Sequence, residues 1–273
     1  MTTIQDSGRT GLAYYAIPQS GVMDSDSAQL ANTLVGNPAD AAVIECNLAG
    51  PTIEFHEATT IALTGCDMNW LINGQTTERN KTIQIHQGSI LKGGFGREGL
   101  RAYIAIKGEI IGQKHFDSFA TYSYAKMGYN FGQPIRENHI LEWKTSNNPI
   151  ISISLRDKKN ESPIQLIPGP EFNLLTTEAK SAMTTETFVI SSESNRMGAR
   201  LHGPKLQATG YLNDSVAMLP GLIQLTPAGQ MIVCLQDGQT TGGYPRIAFI
   251  KPKELSRFNQ LGLNQKISFQ LEL

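Results

Sequence analysis

The chain has 273 residues, a formal net charge of −1 at pH 7 and a pI of about 6.5, with its lysines and arginines scattered rather than massed. This balance disfavours nucleic acid or an anionic membrane as a partner, because both attract concentrated positive charge. The length is sufficient for one large β core or two smaller ones. The first residues, MTTIQDSGR, are polar, and no later segment approaches the roughly eighteen apolar residues of a membrane span. We therefore expect a soluble cytoplasmic protein.

Cysteine and histidine usage argues against disulfides and metals. Cys46, Cys66 and Cys234 are odd in number and widely spaced, and each lies in or beside an apolar run. That pattern is typical of small buried hydrophobic side chains. The five histidines show none of the close pairings, such as H-x-x-x-H, that place two imidazoles on one metal. We predict no disulfide and no structural metal.

In chain order, short β-prone runs alternate with glycine-rich turns. The runs are AVIECNLAG, TIEFHEATTIALTG, NWLING, KTIQIHQGSILKGG, LRAYIAIKG, PIISISL, ETFVISS and QMIVCLQDG. Runs of about four to eight residues bounded by Gly, Asn and Asp indicate a β-sandwich or a barrel. The fold class is therefore predicted to be mainly β.

Helices are predicted to be few and short. The clearest candidate is DSDSAQLANTLVGNP, where Asp26 is expected to cap the first turn with Gln29 returning the bond, and Gly36 and Pro38 end the helix. Two more are expected near TTEAKSAM and KPKELSRFNQLG. Residues 156–163, RDKKNESP, are charged and closed by a proline, as in a surface linker. We place a domain boundary there, between residues 1–155 and 164–273.

One motif match is rejected. GFGREG, at residues 94–99, fits the G-x-G-x-x-G dinucleotide pattern, which requires a helix to open at its last glycine. The β-prone run LRAYIAIKG follows instead. A phosphate-binding P-loop, a G-x-S-x-G elbow and an H-E-x-x-H helix are also missing from the sequence. Any chemistry must therefore use a less common set of residues, or be shared with another chain.

Polar side chains concentrate in three glycine-punctuated segments: TIQDSGRTGLAYYAIPQSGVMD, SNRMGARLHGP and QDGQTTGGYPR. They combine backbone freedom, hydroxyl groups, carboxylates and guanidinium forks suited to a carboxylate or carbonyl oxygen. The alternative is that they are tight turns whose arginines pair with local acids such as Asp237. The candidate catalytic residues are Asp6, Asp24, Arg200 and Arg246, and the candidate substrate-binding residues are Arg9, Asn195, Arg196, Thr240, Thr241, Gly242, Gly243 and Tyr244.

Long motifs in both halves resemble one family. They are TIQDSGR with GVMDSDSAQLANTLVGNP, ECNLAGPTIEF, IALTG, GLRAYIAIKG, SNRMGARLHGP and PGLIQLTPAGQMIVCLQDGQTTGGYPRIA. The chain is similar to the allophanate hydrolase subunit 2, KipA-like or biotin-dependent carboxyltransferase family, which supplies the C subunit of bacterial 5-oxoprolinase. The resemblance implies two tandem cyclophilin-like β-barrel domains with a few short helices. It also implies that QTTGGYPR forms a wall of a binding cleft.

The chain departs from this family at three places. The family usually carries a strand before its T-x-Q-D motif, which here begins at Thr3. Where relatives tend to have L-G-S-R-S-T, this chain has HFDSFATYS, with Phe119 in the arginine position. In GYNFGQPIREN, Gln133 replaces a second arginine. An anion site built on those two arginines is therefore in doubt for this chain.

The resemblance implies a role in a complex. Relatives in this role act with two other subunits, one KipI-like and one lactam-utilisation-like, in an ATP-dependent hydrolysis of 5-oxo-L-proline to L-glutamate. We expect the chain to be inactive alone, with no cofactor of its own and with ATP used by the complex. Opening an unstrained lactam requires recognition of the carboxylate and polarisation of the amide. Residue chemistry suggests Arg200 or Arg246 together with the Gly242 and Gly243 amides for the anionic oxygens. Asp6 or Asp24 would serve orientation or proton transfer.

Two other functions remain open from the sequence. The first is the carboxyltransferase part of a biotin-dependent urea or amide carboxylase. The chain has no A-M-K-M-type biotin-carrier segment, so a separate carrier would be needed. The second is a non-catalytic regulator that binds a KipI-like kinase inhibitor. The residues do not choose between 5-oxoproline, urea and another amide as the substrate.

Overall fold

A computed structural model of the chain describes residues 1–150 and 163–272, which divide into two compact units. The first unit contains Met1–Arg9 and the described residues 20–150, and the second contains Thr10–Gln19 and the described residues 163–272. The grouping of Thr10–Gln19 with the second unit was not predicted. The predicted linker at 156–163 lies, except for its last residue, outside the described residues. The predicted domain boundary therefore stays a prediction.

The first unit is built on a five-stranded sheet with the order β1-β2-β9-β4-β7, a four-stranded sheet with the order β3-β8-β5-β6, and the pair β10-β11. Its helix is α1 (Ser25–Val35). Its strands are β1 (Thr2–Gln5), β2 (Val43–Asn47), β3 (Thr52–Glu54), β4 (Thr59–Gly65), β5 (Leu71–Ile72), β6 (Gln75–Thr76), β7 (Thr82–Ile85), β8 (Ile90–Lys92), β9 (Arg101–Ile106), β10 (Glu109–Ile111) and β11 (Glu142–Lys144).

Both faces of the three central strands of this sheet, β2, β9 and β4, are covered, so these strands are almost continuously buried rather than alternating. Adjacent residues of β2 point to opposite faces. Val43 packs with the α1 side chains, whereas Ile44 belongs to a larger core that contains Phe55 and Trp70. This burial on both faces explains why VIEC and RAYIAI are apolar at nearly every position.

The sequence predicted the end of helix α1 correctly but not its first residue. Gly36 ends the helix in the left-handed conformation, with φ of 76°, which glycine adopts without steric cost. At the other end, the N-cap is Asp24, whose Oδ1 accepts a hydrogen bond of 3.0 Å from the Ser27 backbone N–H. The prediction of Asp26 as the cap was wrong, because Asp26 lies inside the first turn.

The second unit contains an eight-stranded sheet with the order β20-β13-β14-β17-β16-β19-β12-β21, and the pair β15-β18. Its helices are α2 (Thr177–Thr185) and α3 (Pro252–Asn259), near the two predicted segments. Its strands are β12 (Ile164–Pro168), β13 (Phe188–Ile190), β14 (Gly198–His202), β15 (Val216–Ala217), β16 (Leu222–Leu225), β17 (Met231–Cys234), β18 (Thr241–Gly242), β19 (Arg246–Ile250), β20 (Lys266–Ile267) and β21 (Phe269–Leu271).

This eight-stranded sheet is a nearly closed barrel. Its two end strands, β20 and β21, are separated in the chain by Ser268 alone, which brings the two edges of the sheet together. Inward and outward residues alternate along β14, where Ala199 and Leu201 are buried while Arg200 and His202 are exposed. The structure confirms the mainly β fold class with a few short helices.

The described residues also confirm two expectations from composition and motifs, the burial of the cysteines and a strand after GFGREG. All three cysteines are free and buried, and burial raises the pKa of Cys46 to about 12 and that of Cys234 to about 11. Such thiols behave as hydrophobic side chains. The residues after GFGREG form strand β9 and not a helix. Among the described residues, no helix is long and apolar enough to cross a membrane.

Candidate functional site

The glycine-rich segment 236–246 connects strand β17 to the start of strand β19. Its middle, Thr241–Gly242, forms β18 and pairs with Val216–Ala217, and the Thr240 carbonyl accepts a 2.9 Å hydrogen bond from the Met218 N–H. Thr241 and Tyr244 are exposed, while Thr240 is half-buried. The segment therefore presents two hydroxyl side chains to solvent on a hydrogen-bonded ribbon.

The two adjacent glycines have different environments. Neither has a φ in the left-handed region, so their backbone freedom is not used for a left-handed turn. A Cβ on Gly242 would lie 2.7 Å from Gln224 Nε2 and 3.3 Å from Met218 Cγ, so packing requires glycine there. A Cβ on Gly243 would meet no atom within 4 Å. Gly243 thus borders open space, which leaves close ligand approach as its possible role.

Arg246 begins strand β19 and holds a carboxylate of its own unit. Its Nε donates to Glu171 Oε2 at 2.9 Å, its Nη2 to Glu171 Oε1 at 2.8 Å, and its backbone N–H to Oε2 at 2.9 Å. The side-chain hydrogen bond from Arg246 lowers the pKa of Glu171, against the opposing effect of burial. The Arg246 guanidinium, which we predicted to bind a substrate carboxylate, therefore binds the Glu171 carboxylate instead. The sequence did not indicate Glu171 as its partner.

Arg196 is also paired within the second unit. Its Nε and Nη2 contact the two carboxylate oxygens of Asp237 at 2.8 and 3.2 Å, and both side chains are mostly buried. The pairing with Asp237 is the alternative that the sequence left open. Neighbouring Asn195 accepts hydrogen bonds from the Met197 and Gly198 N–H groups at 2.8 and 3.3 Å, closing the turn before β14.

Arg200 is the most available of these three arginines. It projects from the outer face of β14, and its side chain is 44% exposed. Its contact with Glu193 is a long one, at 3.5 Å between Nε and Oε2. An exposed pair at this distance is weak and exchanges readily with another anion. Arg200 can therefore receive a carboxylate without breaking a buried ion pair.

In the first unit, Asp6 and Arg9 belong to the loop after β1. The Asp6 carboxylate accepts hydrogen bonds from the Ser118 hydroxyl at 2.7 Å, the Phe119 N–H at 2.6 Å and the Gly8 N–H at 2.8 Å. The Arg9 guanidinium is buried and donates to the Ala120 carbonyl. These contacts join the first loop to residues 118–120 and give both side chains a structural role.

Asp24 lies beside a buried polar network that sequence reasoning did not single out. The Tyr103 hydroxyl donates to Glu45 Oε2 at 2.9 Å and accepts from the Asp24 N–H at 2.8 Å, while the Met23 N–H donates to the same Glu45 oxygen at 2.8 Å. Burial, and then the negative charges of Glu45 and Asp24, raise the pKa of Tyr103. The feature of the sequence that could have indicated this network is Glu45, a glutamate inside the apolar run VIECN.

The two residues that replace family arginines have no free charge to offer. Phe119 is buried, with its ring centroid 6.4 Å from that of Tyr129 and the Lys114 ammonium 4.6 Å from its own centroid. Gln133 is exposed, and its N–H donates to the Asn130 carbonyl at 3.0 Å. Among the described residues, no group of three or more His, Cys, Asp or Glu side chains is arranged to hold a metal.

The fold and motifs together match one family. The family model for the carboxyltransferase domain, subdomain A and B, covers residues 15–271. The chain belongs to this carboxyltransferase family. The resemblance inferred from the motifs is therefore confirmed.

Two bacterial relatives match over nearly the whole chain. The protein named as the C subunit of 5-oxoprolinase in Escherichia coli strain K12 is 32% identical over 270 residues, covering 98% of this chain and 87% of that one. Its namesake in Haemophilus influenzae is 28% identical over 271 residues, with the same coverage. A Saccharomyces cerevisiae urea amidolyase is 30% identical over 292 residues, but this chain spans only 16% of that protein.

Solved structures show the same fold. The Kluyveromyces lactis urea amidolyase superimposes with a TM-score of 0.89 at 27% identity, over 98% of this chain and 18% of that one. The urea carboxylase of the same organism gives a TM-score of 0.88 at 28% identity, over 98% of this chain and 26% of that one. In these larger proteins, the family member is one part of a much longer polypeptide.

Proposed function

We propose that this chain is the C subunit of a multi-subunit 5-oxoprolinase, which opens 5-oxo-L-proline to L-glutamate at the expense of ATP. The observation that carries the proposal is the match to two proteins named as the C subunit of 5-oxoprolinase, over 98% of this chain and 87% of theirs. Relatives that work on urea match equally long segments of this chain but are several times longer.

The proposed partners are two further subunits, one KipI-like and one lactam-utilisation-like, acting together with this chain in the cytoplasm. The missing P-loop supports a division of labour in which ATP is used elsewhere in the complex and this chain binds no cofactor alone. A lactam amide is stabilised by resonance, so its carbonyl must be activated before water attacks. This chain would then contribute substrate recognition and part of the environment of the reacting carbonyl.

The exposed part of segment 236–246 and Arg200 are the proposed contacts to the substrate. Arg200 offers an accessible guanidinium for the 5-oxoproline carboxylate, whereas the Arg246 guanidinium is held by Glu171. Thr241 and Tyr244 offer exposed hydroxyls, and Gly243 leaves room for close approach. Arg246 then acts by fixing the start of β19 and with it the end of this segment.

The test is reconstitution with the purified KipI-like and lactam-utilisation-like subunits. The complete complex is expected to show ATP hydrolysis that depends on 5-oxoproline, and this chain alone is expected to show none. Gly243→Val should reduce that activity at least ten-fold, because a branched side chain fills the approach to the segment. Gly262→Val is the matched control, since Gly262 lies in the same unit and also has no atom within 4 Å of its added Cβ.

Turnover by the single chain would contradict the shared-site proposal. Full activity of Gly243→Val would remove Gly243 from the substrate contacts. Equal losses in Gly243→Val and Gly262→Val would indicate a general effect of valine on the fold. Melting temperatures of all three proteins accompany the assay.

A carboxyltransferase role is the second candidate, and the family and its urea-processing relatives favour it. In that case the chain would help to transfer a carboxyl group from a biotin carrier to urea or another amide. Urea-stimulated decarboxylation of carboxybiotin by the complex, without 5-oxoproline-dependent ATP hydrolysis, would select this function over the first.

A further inference from the structure

Gln224 is a buried polar residue in strand β16 of the second unit. It is 2% exposed, and the other three residues of the strand are apolar: Leu222, Ile223 and Leu225. A buried amide costs free energy unless its donors and its acceptor are hydrogen-bonded. An apolar side chain at this position would avoid that cost, so the contacts of the amide indicate why a glutamine lies there.

Both hydrogen-bond partners of the Gln224 side chain belong to segment 236–246. Its Nε2 donates to the Tyr244 carbonyl at 3.4 Å, and its Oε1 accepts from Gln239 Nε2, also at 3.4 Å. Between these two contacts, a Cβ on Gly242 would lie 2.7 Å from Gln224 Nε2. Both hydrogen bonds are long, so the amide holds the segment through three contacts together rather than through one strong bond.

The strand pairing places Gln224 on the same face of the barrel as Arg200. The register runs across four neighbouring strands, from Arg200 through Ile232 and Gln224 to Arg246. Directly opposed residues of neighbouring strands point to the same face. Since neighbouring strands are about 4.8 Å apart, the Cα atoms of Arg200 and Gln224 are about 10 Å apart. The accessible guanidinium and the segment that covers Gln224 therefore lie on one outer face.

The register of β16 shifts at Gln224. Ile223 pairs with Ala248, whereas the next residue, Gln224, pairs with Arg246, so strand β19 has one extra residue there. Such bulges re-aim side chains and are over-represented next to active sites. This bulge lies where segment 236–246 joins β19, at the place where Gln224 contacts the segment.

Gly243 and Tyr244 lie between two backbone anchors of the segment. On one side the ribbon of β15 and β18 ends at Gly242, and on the other the Pro245 carbonyl accepts a 3.0 Å hydrogen bond from a backbone N–H of β16. In the described part of the chain, no group accepts a hydrogen bond from the N–H of Gly243 or of Tyr244, and both residues are exposed. Between the anchors, Gln224 holds the backbone through the Tyr244 carbonyl.

We propose that Gln224 is a positioning residue of the 5-oxoprolinase reaction: it holds the backbone of residues 243–244 so that the Gly243 N–H donates to the lactam carbonyl oxygen. The inference rests on the proposed function and names the group of this chain that contacts the reacting amide. Arg200, on the same face, then receives the substrate carboxylate. A donor that is fixed in advance stabilises the charge that develops on a carbonyl oxygen without reorganisation during the reaction. Of the two glycine amides that the sequence suggested for this role, Gly243 is the one beyond the ribbon.

Gln224→Met tests the inference in the reconstituted complex, because methionine has a similar length and makes neither hydrogen bond. We expect kcat for 5-oxoproline-dependent ATP hydrolysis to fall roughly ten- to hundred-fold, since the Gly243 donor is displaced rather than removed. KM should change less than about three-fold, because a contact that strengthens in the transition state acts mainly on kcat. The melting temperature should stay within about 4 °C of the wild-type value, since water can satisfy the exposed partners.

The Gly243 N–H gives a second readout that does not depend on turnover. In NMR spectra of the chain labelled with nitrogen-15 glycine, the Gly243 peak is identified by its loss in Gly243→Ala. Gln224→Met should shift this peak in the free chain and leave the peak of Gly262, identified in the same way, unchanged. In the complex, 5-oxoproline should shift the Gly243 peak of the wild type more than that of Gln224→Met.

Gln165→Met is the matched control. Gln165 lies in β12 of the same unit, and its side-chain amide also makes two hydrogen bonds, to Gln270 Oε1 at 2.9 Å and to the Pro163 carbonyl at 3.5 Å. Neither partner belongs to segment 236–246, so this variant should leave kcat and the Gly243 peak unchanged. Equal losses of kcat in both variants would overturn the inference, because they would show a general effect of losing a glutamine from the barrel.

The remaining outcomes are also decisive. Wild-type kcat in Gln224→Met, an unshifted Gly243 peak or a rise in KM alone would each overturn the inference. If Gln224→Met does not fold, Gln224→Asn is scored in its place, since its amide is one methylene too short to hold the Tyr244 carbonyl. Failure of the proposed function is distinguishable. A wild-type complex without 5-oxoproline-dependent ATP hydrolysis refutes that function, and the Gly243 peak then decides alone whether Gln224 positions this backbone.

Discussion

The mostly buried contact between Arg246 and Glu171 anchors one end of segment 236–246, part of which we propose as a substrate contact. Glu171 receives three hydrogen bonds from one residue, two from the guanidinium and one from the backbone N–H. Both side chains are mostly buried, at 19% and 14% exposure, so solvent screens the pair only in part. The contact fixes the residue at which segment 236–246 becomes strand β19.

Arg246→Ala is expected to destabilise the chain by about 2 to 4 kcal/mol, because it leaves the Glu171 carboxylate without its charged partner in a mostly buried position. Arg200→Ala is the control. Arg200 is more exposed and its ion pair is longer, so its loss should cost about 0 to 1 kcal/mol. Urea denaturation of the two variants measures the difference in the free energy of unfolding.

Equal stability losses in the two variants would contradict this reading of the Arg246 contact. In the reconstituted complex, by contrast, Arg200→Ala should reduce substrate affinity more than Arg246→Ala does. Arg200→Ala should raise the KM for 5-oxoproline, since it removes the accessible guanidinium, while its melting temperature stays near that of the wild type. An unchanged KM would remove Arg200 from the proposed substrate contacts.

Long-range partners explain why these residue contacts were only partly predictable. The sequence left open that arginines of the glycine-punctuated segments pair with local acids such as Asp237, and Asp237 does pair with an arginine, Arg196, although 41 positions separate the two residues. Glu171 and Arg246 are 75 positions apart, and nothing in the local pattern around Glu171 marks it as a partner. Their pairing depends on how the barrel strands are ordered, which residue chemistry alone does not determine.

At the scale of elements, helix α1 shows what local patterns do and do not settle. The apolar spacing and Gly36 predicted the helix and its end, because both signals are local. Two aspartates, Asp24 and Asp26, precede the helical pattern, and either could have served as the cap. The choice of Asp24 coincides with a hydrogen bond from its N–H to the Tyr103 hydroxyl on the sheet. Because Asp24 and Tyr103 are 79 positions apart in the chain, the local pattern could not indicate this contact.

Asp24→Ala is expected to lower the free energy of unfolding by about 0.5 to 2 kcal/mol, the usual cost of losing an N-cap. Asp24→Asn should stay within a few tenths of a kcal/mol, because asparagine caps helices as well as aspartate does. Urea denaturation of both variants makes the comparison. A loss in Asp24→Asn as large as in Asp24→Ala would show that the charge, and not the cap, stabilises this end of the helix.

The same pair of variants tests the role predicted for Asp24 from its chemistry. An amide cannot exchange a proton as a carboxylate does, so a proton-transfer role predicts a loss of roughly 100-fold or more in the activity of the Asp24→Asn complex at nearly unchanged stability. Activity close to that of the wild type would leave Asp24 as a helix cap alone.

For the whole molecule, glycine-bounded strands were sufficient to predict a mainly β protein, but not which strands are neighbours. In the second unit, β12 pairs with β19 and β21, the latter about a hundred positions away. The segment Thr10–Gln19 groups with the second unit although the residues on both sides of it belong to the first. The polar motif that contains this segment suggested a function, but nothing in its residues indicated that Thr10–Gln19 groups with the second unit.

The two compact units are expected to unfold separately. Each unit has buried apolar side chains of its own, such as Leu63 in the first and Leu166 in the second, both 0% exposed. We expect thermal unfolding to show two transitions. Leu63→Ala and Leu166→Ala each create a core cavity that costs about 2 to 5 kcal/mol, so each should lower a different transition. Differential scanning calorimetry of the wild type and both variants measures this. A single transition that both variants lower equally would show that the two units unfold as one cooperative body.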